Sequence, residues 1–352
     1  MSTAAGRLSI FAKNTGALKR LCVLLLCFLA FPALAQQQPK EGELATKFEI
    51  HAQPITSFDL RDPQRREFGA LVFRGGLELS SNQPGFGGLS SIRLFDSGTR
   101  FVIVSDRGRW VTGRLGYEGD RLSSVSDAEI APMLDENGRL LALSGWFDTE
   151  SLADDGNGIF YVGIERVNEI VRFDFGKDGV AARGKPIKFP PEIEKLPFNK
   201  GLEAMVFVPR GMPLGGTLIA MSERGLDDKG HIKGFLIGGP SPGQFGVVRS
   251  HDFDITDAAV TPSGDLLILE RAFSFLRGAG MRIRRVPLKD VKPGAVIQGE
   301  TLFEADRNYN IDNMEGLAVH RAANGDIVLT VLSDDNFNPL ERTLLLQFTL
   351  AR

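Results

Sequence analysis

Apolar and polar positions along this chain alternate in bursts of roughly four to eight residues, the two-residue period of half-buried β-strands. The bursts recur in a fixed order. Five segments share one grammar: GGLSSIRLFDSGTRFVIVSDRGRW (87–110), ESLADDGNGIFYVGIERVNEIVRF (150–173), KGLEAMVFVPRGMPLGGTLIAMSERG (200–225), DAAVTPSGDLLILERAFSF (257–275) and EGLAVHRAANGDIVLTVLSDDNF (315–337). Each opens on a short apolar strand around Leu89, Leu152, Leu202, Ala259 or Leu317. A turn rich in Gly, Asp or Asn follows, supplying the positive φ and local caps of a tight hairpin. A second β-rich run then ends in an acid: Asp106, Glu165, Glu223, Glu270 or Asp334. A third, alternating run follows in most repeats, as in Glu169–Phe175 and Thr343–Leu350.

Self-similarity at this spacing is the mark of a repeat architecture. Strands at this density, with no long amphipathic helix, predict an all-β fold, a β-propeller of five or six four-stranded blades. The last repeat ends without a fourth strand of its own. The run Phe68–Ser80 (FGALVFRGGLELS) supplies one, so an N-terminal strand is expected to close the ring. A two-sheet sandwich is the alternative, and it has no need of such repetition.

Composition narrows the chemistry. With 4 His and 2 Cys in 352 residues, a disulfide scaffold, a Cys-rich zinc site and a multi-histidine centre are excluded. A net charge of −3 argues against a nucleic-acid partner. Residues 1–20 carry Arg7, Lys13, Lys19 and Arg20 and no acid, and the apolar run Leu21–Phe31 and Ala33-Leu34-Ala35 follow. This is the pattern of a secretory signal peptide cleaved near Ala35. The apolar run is too short for a permanent membrane anchor. Cleavage removes Cys22, Cys27 and the four cations, taking the net charge from −3 to −7. The organisation expected is a signal peptide at 1–35, a linker and first strand at 36–66, and the propeller at 67–352, in the periplasm or secreted, as a monomer.

A polar residue repeated at one place in every blade becomes a ring about the propeller axis. Aligned on the first-strand apolar residue, one ring reads Gly87, Glu150, Lys200, Asp257 and Glu315, with Glu203 close by in the third repeat. The acids ending the second runs make another, and four are followed by arginine: Arg107, Arg166, Arg224 and Arg271, whereas the fifth reads Asp334-Asp335. Such acid–Arg pairs either tie blades together by ion pairs or line a functional mouth. In the functional reading Asp106, Glu150, Glu203, Glu223, Glu270 and Glu315 are candidate ligands for Ca²⁺, a hard ion that takes oxygen donors in flexible geometry. Arg107, Arg166, Lys200, Arg224 and Arg271 are candidates for holding a small anionic substrate such as a phosphate ester. Glu203 and Glu315 are the candidate catalytic carboxyls. No G-x-S-x-G elbow, P-loop or dinucleotide fingerprint is present.

SDRGRW (105–110), LADDGNGIFYVGIERVNEIVRFD (152–174), NKGLEAMVF (199–207), LLILERAFSF (266–275) and DNMEGLAV (312–319) together resemble the phytase-like domain family, known for "esterase-like activity of phytase". The resemblance covers roughly residues 67–350 and implies an exported, propeller-like protein with phosphoester or ester hydrolysis. By motif its polar positions fall on Asp106, Arg107, Glu150, Glu165, Arg166, Asn199, Glu203, Glu270, Arg271, Asn313 and Glu315, with no catalytic role attached to any of them. The leading expectation is a metal-assisted hydrolase of phosphate or related esters. A non-catalytic binding or scaffold propeller and a sugar-lactone hydrolase are the alternatives.

Overall fold

The computed structural model describes residues 45–274 and 278–351, and nearly all their regular structure is β-strand. The expected signal segment lies outside the described residues. The strands form five separate sheets, which disposes of the two-sheet sandwich.

Each sheet is one blade, and its innermost strand is the first apolar run of a repeat. Blade 1 runs outward through Leu89–Phe95, Arg100–Ser105, Arg109–Glu118 and Arg121–Pro132, with Thr46–Lys47 added outside. Blade 2 comprises Thr149–Asp154, Ile159–Ile164, Glu169–Asp174 and the two-residue Lys185–Pro186. Blade 3 comprises Leu202–Phe207, Thr217–Leu226, Ile232–Gly238 and Gly243–Val247, with Val296–Ile297 pairing in parallel at its edge. Blade 4 comprises Asp254–Val260, Asp265–Ser274, Gly278–Pro287 and Glu300–Ala305. Blade 5 begins Asn313–Arg321, Ile327–Asp334 and Thr343–Leu350, and its next strand is the N-terminal Leu71–Ser80, in turn covered by His51–Ile55. Leu345 pairs with Leu77 in the closing register. The expected closure by an N-terminal strand is thus what forms, and it makes five blades.

The five inner strands pack against one another in cyclic order, so they enclose one axis. Between each pair of neighbouring blades lies one apolar core, five in all. The core between blades 5 and 1 joins Leu77, Leu332 and Leu345 to Leu89, Ile92 and Phe101, so the seam where the ring closes is as dry as the others. At about 1.5–3 kcal/mol for each large side chain buried, that seam is held by packing as much as by strand hydrogen bonds. Five phenylalanines gather between blades 4 and 5, where Phe58 contacts Phe68, Phe73, Phe303 and Phe348.

Candidate functional site

Every inner strand carries a β-bulge at the same place. Pairing jumps from Leu89 to Ser91, from Thr149 to Ser151, from Leu202 to Ala204, from Ile255 to Asp257 and from Met314 to Gly316. The residues skipped are Ser90, Glu150, Glu203, Thr256 and Glu315. A bulged residue leaves the ladder and its side chain is re-aimed; here three are glutamates and two are hydroxyls. They converge on the axis: Glu203 feels the charges of Glu150 and Glu315, and Ser90 hydrogen-bonds Glu150.

A second ring lies beside the first. Leu89, Thr149, Leu202, Ile255 and Met314 pair with Ser105, Ile164, Ser222, Glu270 and Ser333. The residue after each partner faces the mouth: Asp106, Glu165, Glu223, Arg271 and Asp334. Gly88 makes room for the first of these. Its φ is +60°, and a Cβ there would run into the Asp106 carboxylate and the Phe337 ring.

Register thus changes two sets of expected equivalences. The spacing groups Glu270 with the second-strand acids, but a one-residue slip puts a strand side chain on the opposite face. Arg271 takes the ring position in blade 4. Glu270 is fully buried elsewhere, accepting hydrogen bonds from Arg282 Nε (2.7 Å) and Arg284 Nε (2.8 Å). In the first ring the equivalents of Glu150 and Glu315 are Ser90, Glu203 and Thr256. Gly87, Lys200 and Asp257 stand at other places in the repeat.

The mouth is strongly acidic. Three glutamates of the first ring and four acids of the second face Arg271, with Lys200 at the edge. Arg271 donates to Glu315, to Asn313 Oδ1 (2.6 Å) and to Glu223 (3.3 Å), and lies 3.9 Å from Glu203. Lys200 Nζ is 2.6 Å from Glu223 Oε2. On the opposite side Asp106 Oδ1 and Asp148 Oδ2 are buried oxygens with no hydrogen-bond partner. Burial raises Asp148, and burial with crowding of like charges raises Asp106, Glu150, Glu165, Glu203, Glu315 and Asp334. Glu315 is pushed up to about 8 by burial, against the pull of Arg271. Asp106 rises to about 7 through burial and the charge of Asp334, and Glu165 to about 7 through burial and Glu223. Asp334 rises to about 6. Glu150 and Glu203 lie well above the usual carboxylate range, again first by burial and then by their acidic neighbours.

A cavity of about 520 Å³ opens from this mouth between blades 3 and 4, lined by Lys200, Arg224, Arg249 and Arg271 with Glu223, Asp252 and Asp254. Three of the five expected anion-binding residues meet there. Arg224 and Arg249 share Asp254, with Arg249 Nε 2.8 Å from it. The other two stand apart, on aromatic rings: Arg107 lies 3.3 Å from the Phe337 ring centre, and Arg166 packs on Phe147 and Phe198. Arg249, Asp148, Ser90 and Thr256 were not among the expected site residues. Ser90 and Thr256 become legible only once the bulges fix the repeat; nothing in the local sequence singles out Arg249.

By donor type the mouth suits a hard cation, and the two orphaned aspartate oxygens have no hydrogen-bond donor, the charges of Arg107 and Arg166 acting on those carboxylates without bonding these atoms. Among the described residues, however, no three His, Cys, Asp or Glu side chains form a ready-made ligand set. Binding an ion there requires the carboxylates to draw inward.

The family model described as "Phytase-like: Esterase-like activity of phytase" matches residues 84–337, which take in all five inner strands and both rings. No curated protein matches the chain. Among solved structures, one titled "Structure of U3-55K" is similar over 75% of this chain and 96% of its own, at 7% identity and a TM-score of 0.37. Another, titled "Crystal Structure of Mitotic Checkpoint Complex", is similar over 99% of each chain, at 10% identity and a TM-score of 0.39. Likeness at that level carries no functional argument.

Proposed function

This chain belongs to the phytase-like family, and from that premise we propose that it is an exported hydrolase of phosphate monoesters or related anionic esters, working at the channel mouth. One observation carries the reading: a cationic cavity opens directly onto two rings of carboxyls, and Arg271 belongs to both. The phosphate group sits among Lys200, Arg224, Arg249 and Arg271, where guanidinium forks match its oxygens. Glu315, raised to about 8 and bonded to Arg271, holds a proton at neutral pH. In this reading it gives that proton to the leaving oxygen as water attacks phosphorus and the ester P–O bond breaks; the water's protons stay on the released phosphate or one returns to Glu315. Glu203 is the second candidate, raised by burial and then by the same crowding. Asp106, Asp148 and Glu150 are the residues that would hold Ca²⁺ if drawn together; a bound ion would supply positive charge to the acidic mouth and so favour an anionic substrate there.

Phosphate release from a panel of monoesters, with and without Ca²⁺ and with a sugar lactone as comparison, tests the proposal. Activity on at least one phosphate ester, lowered about 100-fold or more by Glu315→Gln, is the expected result. Release from none, or an unaffected Glu315→Gln, overturns it. Turnover of the lactone alone identifies the other hydrolase.

One observation favours a non-catalytic propeller. Several mouth groups join neighbouring blades: Glu165 accepts the Gly201 N–H (2.9 Å), Asp335 accepts that of Gly88 (3.1 Å), and Arg271 ties blade 4 to blades 3 and 5. In that case Glu315→Gln lowers the melting temperature without removing any turnover.

A further inference from the structure

Deeper along the axis, one arginine does what no other residue of the repeat does. Arg93 lies on the inner strand of blade 1, three residues past the bulge at Ser90, where blades 2, 4 and 5 have Ala153, Ala259 and Ala318. It is 6% exposed. Its guanidinium donates to the main-chain carbonyls of Ile92 (2.6 Å), Met205 (2.7 Å), Leu317 (3.0 Å) and Ala258 (3.3 Å). Those four residues stand at one equivalent place, two past the bulge, in blades 1, 3, 5 and 4. Asp257, wholly buried, supplies the counter-charge at 3.1 and 3.2 Å. Asp257 also accepts the Leu317 N–H (2.9 Å), the Ala258 N–H (2.8 Å) and the Ser91 hydroxyl (2.8 Å).

Four buried carbonyls converging on one point are a cation site: left empty, each would lose its hydrogen bond in a dry interior. A guanidinium suits them because its donors lie in a planar fork spread over several directions. We infer that the channel holds a second cation site beneath the acid rings, lined by main-chain carbonyls and filled by the chain's own Arg93, and that this filling fixes the spacing of the bulge glutamates two residues away. Glu203 and Glu315 each stand two residues from a carbonyl that Arg93 holds. Arg93 is thus a positioning residue. It also crosses the axis, so ligands of the acid rings come and go through the mouth. None of this depends on the hydrolytic reading.

Chemical rescue of Arg93→Ala in the full protein is the test. The variant is expected to melt below the wild type, and millimolar guanidinium, far below denaturing levels, to recover more than half of the loss, whereas wild type gains nothing. Backbone amide shifts of Glu203 and Glu315 are read in parallel at one pH. Released carbonyls let the bulges move, so these shifts depart from wild type and return on adding guanidinium. Rescue by sodium chloride to the same degree would overturn the cation-site claim, as would no rescue at all. A lower melting temperature with those amide shifts unmoved would overturn the positioning claim. If Arg93→Ala does not fold, Arg93→Lys keeps the charge without the fork. Its Glu203 and Glu315 amide shifts are expected to depart from wild type, and wild-type shifts there sink the inference.

Discussion

Adjacent residues of blade 4 make a natural experiment in buried charge. Glu270 and Arg271 follow one another, yet one faces a closed ion pair and the other a cluster of acids. Glu270→Gln leaves Arg282 and Arg284 without their carboxylate, and both are at most 4% exposed. A loss of about 3–5 kcal/mol of unfolding free energy is expected, of similar size at pH 5 and pH 8, because guanidiniums do not titrate there. Arg271→Met behaves differently. It removes the partner of Glu203, Glu223 and Glu315, so the penalty depends on whether those acids are charged. At pH 5, well below the raised value of Glu315, protons supply the missing compensation; by pH 8, near that value, the compensation is only partial. Chemical denaturation at the two pH values is expected to show the Arg271→Met loss growing with pH while the Glu270→Gln loss stays flat. From sequence the pair reads as one more acid–Arg dipeptide. Which member faces the mouth is set by the register, and register is a tertiary property.

At the scale of the strand, the bulge decides what the mouth contains. The acids, the turns and the order of runs are all visible in the chain, because a two-residue period and Gly-Asp turns are local. Aligning repeats on their first apolar residues places Glu150 and Glu315 together correctly, yet brings in Lys200 and Asp257, because Leu202 precedes its bulge and Ala259 lies three residues past its own, whereas Leu152 and Leu317 follow theirs by two. A bulge has no side-chain signature, so Ser90 and Thr256 could not be found from the residues alone. Thr256 is also tied across to blade 5, its hydroxyl donating to Met314 O at 3.1 Å. Thr256→Glu adds a fourth carboxylate to the ring and loses that bond. It should lower the melting temperature at both pH values, and more at pH 8 than at pH 5. A pH-independent drop would mean the skipped residue of blade 4 does not share the cavity of the other three.

Closure ties the whole molecule to its N-terminal strand. Leu71–Ser80 pairs with Thr343–Leu350 and contributes Leu77 and Leu79 to the seam core, so five repeats make a wheel only with that strand in place. A chain starting after Ser80 is expected to lose its cooperative thermal transition; a sharp two-state melt from such a chain would show that the ring does not need closing. Closing the ring also gathers acids from 229 positions of sequence, Asp106 to Asp334, onto one axis. Groups whose folded values lie above their unfolded ones bind more protons when folded, so stability falls as pH rises between the two. For Asp106, Glu165, Asp334 and Glu315, which reach about 6 to 8, that window runs from the ordinary carboxylate range up to about pH 8. The most direct measurement is therefore the melting temperature from pH 5 to pH 8, without divalent ions, for wild type and for Glu150→Gln/Glu203→Gln/Glu315→Gln together. Convergence on the axis requires the wild-type value to fall across that range and the triple variant to flatten the fall; a wild-type curve that is level or rising, or a triple variant with the same slope, would show that these carboxyls do not share one site.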